Sequence, residues 1–186
     1  ATYPHGEMAP CHARLLNIFE RRGYTVVIAS NLVSAAQQLD NSLGKQRPQL
    51  YRRPFGRDFG CYRDVCLAIY DIQEQCSVPV ERVVLLNDSF LSFRRSEEQI
   101  VDHLDSPDDE FCGLTENFEV GYHVGSFALA MGGKAFEGLV KQIEMIHIRE
   151  PKVEDDSFFE GTDWVHHADA VMYLGGMHNE NKWLVL

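Results

Sequence analysis

Three short segments hold the residues whose types and spacing suit chemistry. The first is Asn87-Asp88-Ser89, which follows directly on the apolar run Val83-Val84-Leu85-Leu86. Such a run reads as a strand in the middle of a sheet covered on both faces. In open α/β sheets, ligands bind outside the carboxyl ends of the strands. A carboxylate there, Asp88, can hold Mg²⁺ or Mn²⁺, and the cation can neutralise a diphosphate. Asn, Asp and Ser are also common turn and helix-cap residues, so the triplet alone fits either role.

The second segment is Gly56-Arg57-Asp58-Phe59-Gly60-Cys61-Tyr62-Arg63-Asp64. Its glycines allow close backbone approach or positive φ. The pairs Arg57-Asp58 and Arg63-Asp64 offer bidentate anion binding and carboxylates for ribose or base hydroxyls. A helix is expected to begin near this glycine-flanked loop, so backbone N–H groups can also face an anion. Asp58-Phe59-Gly60 spells the kinase D-F-G triplet, but the chain has neither a glycine-rich loop with a following strand lysine nor an H-R-D loop upstream.

The third runs from Gly113-Leu114-Thr115-Glu116-Asn117 to Tyr122-His123-Val124-Gly125-Ser126. Glu116, Glu119 and His123 are titratable groups near two expected strand ends. Any of them can take a proton from an acceptor hydroxyl if its pKa lies near the working pH. A single histidine at a strand start also fits a structural role. The later His166, His167 and His178 match no zinc-ligand spacing.

The elements that must position these groups alternate. Pro10 opens a helix carrying Leu15, Leu16, Ile18 and Phe19 through Arg22, and Gly23 ends it. Tyr24 to Ala29 reads as a buried strand, Leu32 to Leu43 as a helix, and Leu50 to Arg52 as a short strand. A helix follows from about Tyr62 to Gln75, then the Val83–Leu86 strand and a helix over Glu97 to Leu104. Phe111 to Thr115 and Tyr122 to Met131 read as strands, Gly132-Gly133 as a turn, and Ala135 to Ile148 as a helix. Ala170 to Leu174 and Trp183 to Leu186 read as short strands. The expected fold class is α/β, an open, mostly parallel sheet flanked by helices. One domain is expected, with a ligand-binding core over 1–150 and a C-terminal extension over 151–186.

Composition narrows the function classes. The 186 residues suit one domain, and 45% hydrophobic with 24% charged residues is globular rather than disordered. The net charge of −11 argues against general nucleic-acid binding. Against that background Arg47, Arg52, Arg53, Arg57 and Arg63, with Arg94 and Arg95 later, form a local basic cluster suited to a small anion. A solvated face with paired acids is the alternative. The cysteine count is odd, at five, with no C-x-x-C, and reads as reduced thiols in a reducing compartment. No apolar run reaches the ~20 residues of a membrane span. The chain opens on Ala1-Thr2-Tyr3-Pro4-His5-Gly6, without Met or the look of a signal peptide, as a truncated start would. The expected setting is the cytoplasm, the inner face of the membrane included.

Together and in this order, the three segments resemble the rhamnan synthesis protein F family, which is grouped with glycosyltransferases that build rhamnose-containing cell-surface polysaccharides. The family pattern has a G-R-D-F-G-x-Y-R-D block, an apolar strand ending in L-N-D-S, then G-L-T and a Y-H-x-Q-S-like block. Here these are Gly56 to Asp64, Leu86 to Ser89, Gly113 to Thr115 and Tyr122 to Ser126. The likeness runs from about Tyr24 to Ile148. Gly125 stands where the family has Gln, and Leu91-Ser92-Phe93 replaces its usual small turn.

The resemblance implies a GT-A-like fold and transfer of a sugar, rhamnose for instance, from a nucleotide-sugar to a glycan acceptor. By analogy with GT-A enzymes, Asp88 faces the metal or diphosphate, and Arg57, Asp58, Arg63 and Asp64 contact the nucleotide-sugar beside Asn87 and Ser89. Glu116 or His123 is the expected base if the reaction inverts. GT-A enzymes begin with a strand before the first helix, and at most its tail is present at this N-terminus. Two rival readings are a non-catalytic nucleotide-sugar or glycan-binding domain that accompanies a separate transferase, and a nucleotidyltransferase.

Overall fold

The structure is a computed structural model. It describes residues 8–30, 48–52, 57–88, 92–107, 110–118, 122–143, 164–167, 170–173 and 182–185. The helix expected over Leu32 to Leu43 lies outside these residues.

Helix α1 (Pro10–Arg21) starts on a proline and ends on Gly23, whose φ of 84° is the left-handed conformation glycine adopts without cost. The Gly23 N–H bonds the Glu20 carbonyl at 3.0 Å and the Tyr24 N–H bonds that of Phe19 at 3.1 Å. This pair of bonds is the Schellman termination, and the hydrophobic contact that accompanies it is Phe19 edge-on to Tyr24, centroids 5.0 Å apart. The chain is thereby turned into β1 (Thr25–Ser30).

Strand β2 (Gln49–Arg52), helix α2 (Arg57–Cys76) and strand β3 (Arg82–Leu86) follow, then helix α3 (Glu97–Leu104) and β4 (Phe111–Gly113). Short strands β5 (Glu116–Asn117) and β6 (His123–Val124) pair only with each other. Strand β7 (Ala128–Gly132) runs straight into helix α4 (Gly133–Ile143). Strands β8 (Trp164–His167), β9 (Ala170–Tyr173) and β10 (Lys182–Val185) complete the described elements.

The large sheet has the order β4-β7-β3-β10-β1-β2-β9-β8. The fold is α/β, with helices on both faces. One core joins Val27, Ala29, Val83 and Leu85 to Val65 and Ile69 of α2 and Phe136 and Val140 of α4. The other joins Val26, Ile28, Val84 and Leu86 to Leu15 and Phe19 of α1 and Val101 and Leu104 of α3. Successive strand residues point to opposite faces, so continuous apolar runs are what a doubly covered sheet requires.

Four expectations are corrected. The sheet is mixed rather than mostly parallel: β3-β10-β1-β2 are parallel, and the outer pairings β3–β7, β7–β4, β2–β9 and β9–β8 are antiparallel. β8 and β9 are joined by two residues, too few for a parallel crossover. Helix α2 begins at Arg57, so Gly60 lies in its first turn and not in a loop. One helical glycine costs only about 1 kcal/mol, little against the apolar face that α2 buries. The single strand expected over Tyr122 to Met131 is two, β6 and β7, with separate partners. Gly132 ends β7 and Gly133 opens α4, so the two glycines form no separate turn.

β10 sits between β1 and β3 and is parallel to both, with Trp183 opposite Thr25 and Val83. Segment 151–186 therefore supplies the strand that joins the two halves of the sheet.

Candidate functional site

Topology collects the candidate segments at one end of the sheet. α2 is the crossover between the parallel strands β2 and β3, so its first turn, with Arg57 and Asp58, lies at their carboxyl ends. Asn87 and Asp88 leave β3 at that same end. β7 runs antiparallel to β3, with Ala128 opposite Leu86, and the Asn87 N–H bonds the Phe127 carbonyl at 3.0 Å. The β5–β6 hairpin, with Glu116 and His123, projects from this end because β4 enters it there and β7 leaves it.

Direct bonds hold the segments together. The Tyr62 hydroxyl of α2 donates to the Ser126 carbonyl at 2.8 Å. The Gly125 N–H bonds the Thr115 carbonyl at 2.8 Å and closes the base of the hairpin. On the other face, Arg14 of α1 grips Glu97 at the start of α3 through Nε to both carboxylate oxygens at 2.9 Å and Nη2 to Oε1 at 2.7 Å. Hydrogen bonding from Arg14 holds the Glu97 carboxyl below its ordinary range. Ser92 also donates to Glu97 at 3.3 Å, which anchors the loop that returns from Asp88.

The expected site residues fare differently. Asn87 and Asp88 are half-buried at the carboxyl end of β3. Arg63 and Asp64 are buried, and Arg63 Nε donates to Asp64 Oδ1 at 2.9 Å. Arg63 lies six residues into α2, about 9 Å along the helix from its first residue. This pair therefore binds itself inside the protein, where an open anion clamp was expected. The side chains of Arg57 and Asp58 lie outside the described parts, as do Ser89 and Glu119 altogether. Glu116 and His123 are exposed, and they sit in successive register pairs, Glu116 with Val124 and Asn117 with His123. Arg94 and Arg95 are exposed on the turn leading into α3, at the same end of the sheet as Asp88. Of the described side chains of the expected basic cluster they are the exposed ones, and those of Arg47, Arg52, Arg53 and Arg57 lie outside the described residues.

The hairpin also carries Phe118 and Tyr122, which the sequence reading passed over as ligand groups. Their rings lie 5.3 Å apart, centroid to centroid. The available signal was two aromatics close together in a stretch with no apolar periodicity.

Among the described residues, no group of three or more His, Cys, Asp or Glu side chains could hold a metal ion. Mg²⁺ bound against phosphates needs only one or two protein carboxylates, and the half-buried Asp88 beside Asn87 offers one. The described residues include all five cysteines, and no disulfide links them. Burial pushes the Cys66 thiol up to about 12, which makes it an inert core residue. No described helix is long and apolar enough to cross a membrane.

A cavity of about 390 Å³ opens at the opposite end of the sheet from Asp88, beside Glu81, Arg82, Asp105 and Lys182. Its charges serve one another. Lys182 pairs with Glu81 at 3.3 Å and Asp105 at 3.4 Å, and Asp105 accepts from the Tyr24 hydroxyl at 2.6 Å. Burial, then this bond, raises the Tyr24 pKa. The network ties the amino ends of β1, β3 and β10 together.

No protein-family model matches the chain, and neither a curated protein nor a solved structure matches it.

Proposed function

We propose that the protein is a glycosyltransferase that moves a sugar, rhamnose for instance, from a nucleoside diphosphate sugar to a growing cell-surface polysaccharide. One observation carries the reading: the first turn of α2, Asn87-Asp88, the Arg94-Arg95 turn and the Glu116–His123 hairpin all lie at the carboxyl end of β3. Ligands of open α/β sheets bind at that end. The resemblance of the Gly56–Asp64, Leu86–Ser89, Gly113–Thr115 and Tyr122–Ser126 segments to the rhamnan synthesis protein F pattern supplies the reaction class.

The barrier to such a transfer is departure of the diphosphate from an oxocarbenium-like centre. Groups fixed in advance around the departing charge lower that barrier. Arg94 and Arg95 suit this role better than the buried Arg63. Asp88 would hold Mg²⁺ or Mn²⁺, whose contribution is to neutralise the diphosphate. Glu116 and His123 are the candidate bases for the acceptor hydroxyl, and their exposure leaves them accessible to a large glycan.

The test is a thermal-shift screen of nucleoside diphosphates and nucleotide-sugars, with and without Mn²⁺, followed by product analysis. A bound nucleotide raises Tm by mass action. Release of free nucleoside diphosphate with sugar transfer supports the reading. Release of pyrophosphate points to a nucleotidyltransferase, and no shift with any ligand overturns the proposal. The self-paired Arg63 and Asp64 favour a second reading, a nucleotide-sugar or glycan-binding domain without catalysis. Asp88→Asn decides between them: transfer lost at an unchanged Tm is the outcome for an enzyme.

A further inference from the structure

Among the described residues, four large hydrophobic side chains are exposed: Phe93, Phe111, Phe118 and Tyr122. Two of them are neighbours in space. Phe118 and Tyr122 are 68% and 65% exposed, and their rings are inclined by 50° with centroids 5.3 Å apart. Neither belongs to the two cores. Their position is fixed from below by the register of Asn117 with His123 and by the Gly125–Thr115 backbone bond.

We propose that Phe118 and Tyr122 form the stacking platform that receives the acceptor sugar; this rests on the transferase reading above. A pyranose is amphipathic, with a C–H face and a rim of hydroxyls. Its C–H face is matched by an aromatic ring, and its hydroxyls by polar groups at the ring's edge. The hairpin supplies both, since the register puts Glu116 on the same face as the two rings, two residues before Phe118.

The sheet order separates this platform from the donor side. β2 leads into Arg57 on one flank of β3, and β7 and β4 carry the hairpin on the other. Asp88 stands between, at the end of β3. A donor held at the α2 side and an acceptor stacked on the hairpin would thus meet at the acid that faces the leaving diphosphate. The candidate base Glu116 shares the platform's face of the hairpin, where the acceptor hydroxyl must lose its proton, whereas the register turns His123 to the opposite face.

The experiment is saturation-transfer NMR of the full chain with methyl glycosides of rhamnose, glucose, galactose and N-acetylglucosamine. It is run on the wild type, on Phe118→Ala/Tyr122→Ala and on Phe118→Leu/Tyr122→Leu. Nucleoside diphosphate binding is followed in parallel by thermal shift. The expected result is binding of at least one glycoside through its C–H face, weakened at least ten-fold in both double variants, with the nucleotide shift unchanged. The leucine variant keeps the apolar area and removes the flat ring, so it separates stacking from folding. The platform is overturned if no glycoside binds the wild type, if both variants bind undiminished, or if they lose nucleotide binding instead. Glycoside binding that needs the rings, in a protein no nucleotide stabilises, keeps the platform and removes the transferase.

Discussion

The Tyr62 hydroxyl donates to the Ser126 carbonyl across 2.8 Å and 64 residues of sequence. This bond joins the helix that begins with the Arg-Asp block to the segment that leaves the β5–β6 hairpin. It couples the start of α2 to the base of the hairpin without engaging either set of candidate reactive groups.

Removing that bond isolates its contribution. Tyr62→Phe keeps the buried ring and leaves the Ser126 carbonyl without this donor. A net loss of about 1 kcal/mol is expected, which lowers Tm by about 2–4 °C for a chain of this size. Hydrogen exchange should show faster opening at Gly125 to Phe127 than in the wild type. Unchanged exchange there would mean that the hairpin is held by its own backbone bonds.

Trp183 is a core residue of the central strand β10. It is 1% exposed and lies between β1 and β3. Trp183→Ala should cost about 3–5 kcal/mol and lower Tm by roughly 10 °C or more. Trp183→Phe should cost less, because the buried indole N–H it removes has no partner among the described residues. Urea unfolding of the two variants measures the difference.

Acid should weaken the α1–α3 clasp. The Arg14 hydrogen bonds depress the Glu97 pKa, so the clasp is fully present above the unfolded value near 4.3 and is lost as pH falls through the lower, folded value. Glu97→Gln should lower Tm at pH 7 and flatten the fall of Tm with acid below about pH 4.5. Melting curves from pH 7 to pH 3 read both effects. An acid limb as steep in the variant as in the wild type would place the acid sensitivity elsewhere.

Gly125 occupies a position with no room for a side chain. A Cβ there would collide with Thr115 Oγ1 and come within 3.0 Å of the Phe127 ring. Gly125→Ala should destabilise by about 1–3 kcal/mol, and Gly125→Gln more. Thr115→Ala should return part of the loss, a coupling that a double-mutant cycle measures.

Most elements could be read locally. The run Val83 to Leu86 marks a strand buried on both faces, and Leu15, Leu16, Ile18 and Phe19 with Gly23 mark a helix and its end, because periodicity and glycine conformation act within a few residues. The carboxyl end of β3 was legible for the same reason, since the apolar run stops at Asn87. What the Arg-Asp pairs do was not legible. Whether Arg63 faces a ligand or Asp64 depends on how deep α2 packs against the sheet.

Sequence alone therefore determined the α/β class, the covered faces and the order of the candidate segments. Tertiary structure decided that β10 enters between β1 and β3, that Arg63 and Asp64 are buried against each other, and that Phe118 and Tyr122 stand exposed together. Helix and strand preferences are short-range properties of the chain. Strand neighbours and burial are settled by hydrogen bonding and packing between residues far apart in sequence, and only the assembled sheet selects among the pairings that the local pattern permits.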